Sequence, residues 1–415
     1  MFRAALLASV LICGALAPAV AAEPVGAPEF NIKTSFDLKA LTTANFYDVL
    51  KPVAKQEGSL VFYDFSETHQ QFFDQIRAGF ENKYGVTIEY HQVDGEQSVQ
   101  QLIAAKQAGR PSPVDVFFVP NGSVRVADQA GIIANLPLNQ MLPSAQDLDP
   151  NAATVSRGYV HGGKVVPYHR NLTAIAFDTR VVPPGSEPKT LAELAAYAKA
   201  NPQKVAITDP TKGGSGTGFL ETAILALSPK DCQSRLYDYT VTPAEAETWA
   251  EGRCLDPVIA YFKSLKPNVE FTNGNSDTLN LFANGEITVG TVWEDMVLDF
   301  IGRGLLSDQV KARLLTDGEV GDGDGVMIPS GATHPAAALL FVDYLMSDDV
   351  QLRKLGVNGS RSARTSLDPR KALSPEIVAR LVPQDQYTTY ARPRIVGTIS
   401  DAASARFVRD ILQGS

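Results

Sequence analysis

Cysteine is scarce in this chain: three in 415 residues, at positions 13, 232 and 254. That excludes a disulfide-dense framework, and no Cys-x-x-Cys pair offers a redox or zinc motif. Histidine is thin too. His69, His91, His161, His169 and His334 are scattered, without His-Glu-x-x-His or any zinc-type spacing. No Gly-x-Ser-x-Gly elbow is present for a serine nucleophile. Positive charge is short: 37 Lys plus Arg stand against 46 Asp plus Glu, with no basic block, which argues against nucleic-acid binding. Beyond the first 22 residues no long apolar run exists, so a polytopic membrane protein is excluded, as are a collagen and a coiled coil. What remains is 44% hydrophobic and 20% charged, a globular composition in a length that suits two packed units.

Met1 to Ala22 has Arg3, then an apolar run, then small residues around Ala19-Val20-Ala21-Ala22. This is the three-part pattern of a cleaved secretory signal peptide, so the expected location is the periplasm. Gly14 and Pro18 interrupt the run, which weighs against a membrane anchor, and Ile12 stands before Cys13 where a lipoprotein signal wants a small residue. Cys13 then leaves with the signal. Cys232 and Cys254, 22 positions apart in an oxidising compartment, are expected to form a disulfide, with two buried free thiols as the alternative.

Residues 23–44 show no steady periodicity and read as a loose leader. Asn45 to Gln56 reads as a helix ending at Gly58, and Ser59 to Phe65 as a strand. Phe73, Ile76, Phe80 and Tyr84 share one helical face; Val86–Val93, Gln97–Ala108 and Val114–Val119 continue as strand, helix, strand. After a break, extended segments Val165–Tyr168 and Thr173–Phe177 flank His169-Arg170-Asn171. Thr190 and Glu193 form a capping-box pattern before a helix to Ala200. Val205–Thr208, Val269–Thr272, Ile287–Trp293 and Gly325–Pro329 read as strands, and Pro335–Met346 as a helix. The alternation predicts an α/β protein with two mainly parallel sheets, each flanked by helices and joined to the other by extended crossings.

Ligands of open parallel sheets gather beyond the carboxyl ends of the strands. The residues expected there are Ser66, Glu67 and Thr68 after the first strand, Asn121 after the third, and His169 and Asn171 at a crossing. The turn after Val205–Thr208 contributes Ser215, Gly216 and Thr217, in Gly213-Gly-Ser-Gly-Thr-Gly218 leading into a helix from Phe219. Glycines let a ligand approach and the free N–H groups suit an anion. A plain strand-to-helix turn is the alternative, and Lys212 precedes the glycines, so this is no nucleotide P-loop. Trp293 and Glu294 end another strand; an aromatic face beside a carboxylate suits a cation, with a core tryptophan and a solvated glutamate as the alternative. Asp317 to Gly325 looks faintly like a calcium loop, but Asp322 stands at the glycine position, so it reads as a plain loop. No metal and no cofactor is expected.

Three stretches carry a resemblance. Ala54-Lys-Gln-Glu-Gly-Ser-Leu-Val-Phe-Tyr63, Asp209-Pro with Ser215-Gly-Thr-Gly218, and Ile328-Pro-Ser-Gly-Ala-Thr-His-Pro-Ala-Ala-Ala338 with Phe341–Ser347 and Gln351 are similar to secreted solute-binding proteins of ATP-driven importers. The group most resembled is the type II clamshell, with its polyamine, thiamine, iron and phosphorylated-compound binders. Ferric binders of that group present adjacent tyrosines, and no Tyr-Tyr pair occurs here. The resemblance implies a periplasmic monomer that captures a small-molecule solute and delivers it to an inner-membrane ABC permease. The solute would be a cationic amine such as a polyamine or thiamine-like compound, or an anionic or phosphorylated metabolite. Lobe one would be 45–170 plus 321–360, and lobe two 171–320 plus 361–415, hinged near His169–Asn171 and Asp324–Gly325. The competing class is a thiaminase-like enzyme on the same clamshell, which needs Cys232 or Cys254 as a free nucleophile. A secreted adhesion module is a third.

Overall fold

A computed structural model of the chain describes residues 30–66 and 70–414. The signal segment 1–22 and the site candidates Glu67 and Thr68 lie outside the described residues. The first helix, Phe46–Glu57, buries Phe46, Leu50 and Ala54 on one face and stops at Gly58, whose φ of +77° gives the left-handed turn that a glycine adopts without strain. Strand β1 (Ser59–Asp64) comes next, then a helix Gln70–Tyr84, β2 (Thr87–Gln92), a helix Gly95–Gln107 capped by Asp94, and β3 (Val116–Val119). A short hairpin, β4 (Val155–Ser156) and β5 (Tyr159–Val160), precedes β6 (Val165–Pro167). Then come β7 (Asn171–Asp178), β8 (Val205–Thr208), β9 (Val269–Thr272), β10 (Val289–Trp293), β11 (Val310–Arg313), β12 (Glu319–Asp322), β13 (Gly325–Met327) and β14 (Ala391–Pro393).

These strands form two large sheets. The first has the order β2-β1-β3-β13-β6 and the second β14-β12-β7-β10-β8-β9, with β11 also on β7. Parallel pairs β1/β2, β1/β3, β8/β9, β8/β10 and β12/β14 give each sheet its expected character. The strands that lead into and out of the crossings, β6, β7 and β13, pair antiparallel to their neighbours. The chain passes between the sheets at Tyr168–Arg170 and again at Gly323–Asp324. It comes together a third time where Arg361 N–H donates to Arg170 O at 3.0 Å.

Each sheet has its own core. In the first, the Phe62 and Phe341 rings lie 5.1 Å apart between centroids, with Phe80 also 5.1 Å from Phe341. In the second, Phe219, Phe262 and Phe407 pack with Ile395, Ile399 and Ile411. Two readings of the sequence are corrected here. The leader is not loose over residues 30–44: Ile32, Leu38 and Leu41 are buried in the first core, and the Asn31 amide donates to Ile133 O at 3.1 Å. Three isolated anchors carry no period, so pattern alone passes over them. The stretch Asp317–Gly325 is not merely a loop either, because it contains β12, buried at every position. Among the described residues, no cluster of His, Cys, Asp and Glu could hold a metal, and no helix is long and apolar enough to cross a membrane.

Cys232 and Cys254 are bonded to each other, with Cα atoms 5.6 Å apart, tying the helix Lys230–Gln233 to the turn before the helix Asp256–Leu265. Closing that loop restricts the unfolded chain. We expect the denatured, unreduced protein lacking residues 1–22 to show no titratable thiol. We also expect Cys232→Ser with Cys254→Ser to lower unfolding stability by about 3 kcal/mol. A full thiol signal without reductant would contradict the bond.

Glu319 of β12 is fully buried in the second lobe, accepting from the Thr173 hydroxyl at 2.6 Å and the Thr222 hydroxyl at 3.3 Å. Burial pushes its carboxyl up to about 7. The folded state therefore holds this proton more tightly than the unfolded one. Its contribution is fully present below the unfolded carboxylate pKa, near 4, and is lost as pH rises through about 7. Buried His161, pushed down to about 4 by burial, works in the opposite sense over an overlapping window. The informative measurement is thus a difference: the stability of Glu319→Gln relative to wild type should increase steadily between about pH 4 and pH 7. A flat difference across that range would place the Glu319 proton elsewhere.

Candidate functional site

The carboxyl ends of the strands and the crossings converge on a cavity of about 320 Å³. Asn121, just past the end of β3, enters from the first lobe. Its N–H donates to Asp324 Oδ1 at 2.8 Å and its side-chain amide to Asp322 Oδ2 at 3.0 Å, so the first lobe is tied directly to the second crossing. The second lobe supplies Asn171 from β7, Pro210, Thr211, Gly213, Gly214 and Thr217 from the turn after β8, and Trp293 from the end of β10. Arg157, in the β4–β5 turn, and Arg394, just after β14, complete the lining.

The glycine-rich turn opens a helix that starts at Gly214 and runs to Leu227. Trp293 lies against its first turn. A Cβ on Gly214 would sit 3.0 Å from the indole Cζ2, and one on Gly218 3.7 Å from Cη2. The glycines therefore admit the indole, which is only 6% exposed and shows the cavity little more than an edge. Thr217 lines the cavity, but its hydroxyl already donates to Pro210 O at 2.6 Å.

Several expected site residues are placed elsewhere. Ser215 is fully buried; its Oγ bonds Asn275 Oδ1 at 2.8 Å and Thr208 Oγ1 at 3.0 Å. Gly216 faces β8, where a Cβ would lie 2.1 Å from Thr208 O, so this glycine serves helix-to-strand packing. His169 is buried at the crossing, 2.9 Å from Asp295 Oδ2, and does not line the cavity. The Ser66 N–H donates to Asp64 Oδ1 at 2.8 Å, and Ser66 is likewise absent from the lining.

Glu294 is the largest correction. It is 1% exposed and grips Arg361 with both oxygens, at 2.8 and 2.9 Å, while accepting the Val382 N–H at 2.7 Å. A carboxylate so satisfied does not serve a solute. The neighbouring tryptophan keeps its cleft position because successive residues at a strand end point to opposite sides.

Charge at the cavity comes instead from Asp324, Arg157 and Arg394, none of them named among the expected site residues. Asp324 is half-buried, and burial pushes its carboxyl up to about 6; His169 and the Asn121 N–H oppose the rise, and Asp322 and Asp295 reinforce it. Arg394 is bidentate with Glu221, both bonds at 2.7 Å, and the Ser400 hydroxyl donates to the same carboxylate. Arg157 is freer, with Asp401 at 3.5 Å and 40% of its side chain exposed. Arg157 and Arg394 sit in stretches that lack periodicity and reach the site only through long-range packing. Asp324 is named from sequence only as part of the Asp324–Gly325 crossing, not as a charge in the site.

The Glu294–Arg361 pair gives a test of structure independent of any solute. Removing one partner strands a buried charge. Arg361→Met is therefore expected to cost about 3–5 kcal/mol in urea unfolding, and adding Glu294→Met should return most of it. If Arg361→Met alone were neutral, the pair would not be buried as described.

Comparisons with known proteins bear on this arrangement. A family model described as bacterial extracellular solute-binding protein matches residues 75–380, more than half of the chain. Protein YnjB of Escherichia coli (strain K12) is 25% identical over 342 residues, spanning 78% of this chain and 83% of its own. An ABC transporter substrate-binding protein from Bradyrhizobium japonicum USDA 110 superposes with a TM-score of 0.62 at 15% identity, covering 85% of this chain and 99% of that one. The spermidine/putrescine ABC transporter substrate-binding protein PotD from Streptococcus pneumoniae also gives a TM-score of 0.62, at 13% identity, over 86% of this chain and 99% of that one. At such identities the two solved structures speak for the fold alone.

Proposed function

We propose, from the premise that the chain belongs to the bacterial extracellular solute-binding proteins, that it captures a small polar solute in the cavity between its lobes and delivers it to an inner-membrane ABC permease. The observation that carries this reading is the convergence of Asn121 from one sheet, Thr217 and Trp293 from the other, and Asp324 from the crossing between them. A solute touching both lobes binds the closed form better and so favours closure.

The lining favours a solute with an acidic group. The helix start at Gly214 presents backbone N–H donors at the positive end of a helix dipole, and Arg157 lies on the same cavity. Because the Ser215 N–H is spent on Asn275, Gly214 is the donor offered. At the crossing, Asp324 suits a hydroxyl or ammonium on the solute's other end, with the Trp293 edge between. That is what supports a cationic amine as second reading, now through Asp324 and not Glu294. The thiaminase-like alternative loses its chemistry, since both candidate nucleophiles are held in the disulfide.

The test starts with natively purified protein, denatured and searched by mass spectrometry for a released small molecule. Titrated with that molecule, Trp293→Ala is expected to bind about five- to thirtyfold more weakly. Gly214→Ala should also weaken binding, because its methyl displaces the indole. Thr217→Ala should cost less than either, its hydroxyl being engaged with Pro210. Unchanged affinity in both Trp293→Ala and Gly214→Ala would remove the cavity as the solute site.

A further inference from the structure

Strand β7 begins at the crossing, and its successive residues face opposite ways. Asn171 lines the cleft, whereas Arg170 and Leu172 line a separate cavity of about 400 Å³ on the other face of the hinge. We propose that this rear cavity binds a small organic anion with an apolar body.

The chemistry of the walls carries the proposal. Four arginines line the cavity, and two of them are already paired: Arg361 with Glu294, and Arg364 with both Asp147 and Asp348. The other two have no acidic partner among the described residues. Arg170 is bonded only through its backbone, to Ser360 Oγ and Arg361 N–H, and Arg392 donates only to the carbonyls of Thr389 and Ala391. Asp149 is the single acid among the described lining residues, and it accepts the Ala152 N–H at 2.9 Å. Counted with these acids the charges balance, and what the wall offers an anion is the two arginines that no carboxylate occupies.

The rest of the wall is apolar. Leu172, Leu352, Leu355 and Leu367 line it, together with Tyr387, whose ring carries the Arg361 guanidinium 4.4 Å from its centroid. Guanidinium groups without acidic partners beside leucines match a carboxylate or sulfonate on a short hydrocarbon frame. They match a bare phosphate less well, because it would leave the leucines wet, and a cation not at all.

Hexanoate is a suitable probe, titrated calorimetrically into the folded protein alongside inorganic phosphate and hexylamine. Saturable hexanoate binding is expected, with the other two at least about tenfold weaker. Arg170→Gln and Arg392→Gln should each weaken hexanoate about tenfold or more, since a hydrogen bond to a charged group is lost. Trp293→Ala in the cleft should leave it within about twofold. Should Arg170→Gln disturb the hinge, seen as a changed circular dichroism spectrum, exposed Arg392→Gln decides. Three results overturn the proposal: no saturable hexanoate binding, arginine variants that bind like wild type, or loss of binding in Trp293→Ala. Solute binding in the cleft is read separately in the same variants, so failure here leaves that reading standing.

Discussion

Two extended crossings approach more closely than side chains would permit, and the arrangement of the lobes depends on that contact. A Cβ on Gly323 would lie 1.7 Å from His169 O, and one on Gly321 would meet Leu172 Cδ1 at 2.9 Å and Asn171 O at 3.2 Å. With glycine at both places, β12 pairs with the start of β7, Asp324 reaches the Asn121 N–H, and Tyr168 and His169 donate their N–H groups to Asp324 O. The floor of the cleft is thus almost entirely backbone and short polar side chains. Bulkier residues would push the sheets apart and separate Asn121 from the tryptophan opposite.

The buried ion pairs show how the second lobe uses its acids. Glu294 opens the helix after β10 and Glu221 sits in the helix after the glycine turn, yet both turn inward to hold arginines from late in the chain, Arg361 and Arg394. Pairs of this kind add little net stability, because desolvation offsets most of the attraction. They do fix where a segment docks. The strand β14 and the helix Gly397–Phe407 gain a unique register from them, and Arg394 is carried to the edge of the cleft as a result.

How far the sequence reveals this molecule differs by level. Strands such as Val205–Thr208 and Val269–Thr272 are legible to the residue, because short runs of branched apolar residues bounded by polar ones have few other uses. The helix that starts at Gly214 shows itself in sequence only from Phe219, since glycines at a helix N-terminus look like a turn. Half of the Thr190 capping box forms: the Thr190 hydroxyl accepts the Glu193 N–H, while the Glu193 carboxylate reaches Lys189 N–H instead. In the cleft, Asn121, Asn171, Thr217 and Trp293 all lie at or just beyond strand ends and crossings, where the topology of an open sheet directs attention. Position alone does not separate Glu294 from Trp293, because which of two neighbours faces a cavity depends on a partner 67 positions away. Arg157 and Arg394 depend on contacts longer still.

The threading of the chain has a consequence for the order in which the molecule can assemble. The first sheet lacks β13, and its core lacks Phe341, until more than three quarters of the chain has been made; the second lacks β14 and the Ile395 to Ile411 face until almost the end. Neither half can bury its apolar surface early, and contacts of such sequence separation are slow to form. The contacts that clasp the two lobes together are the last that the growing chain can make.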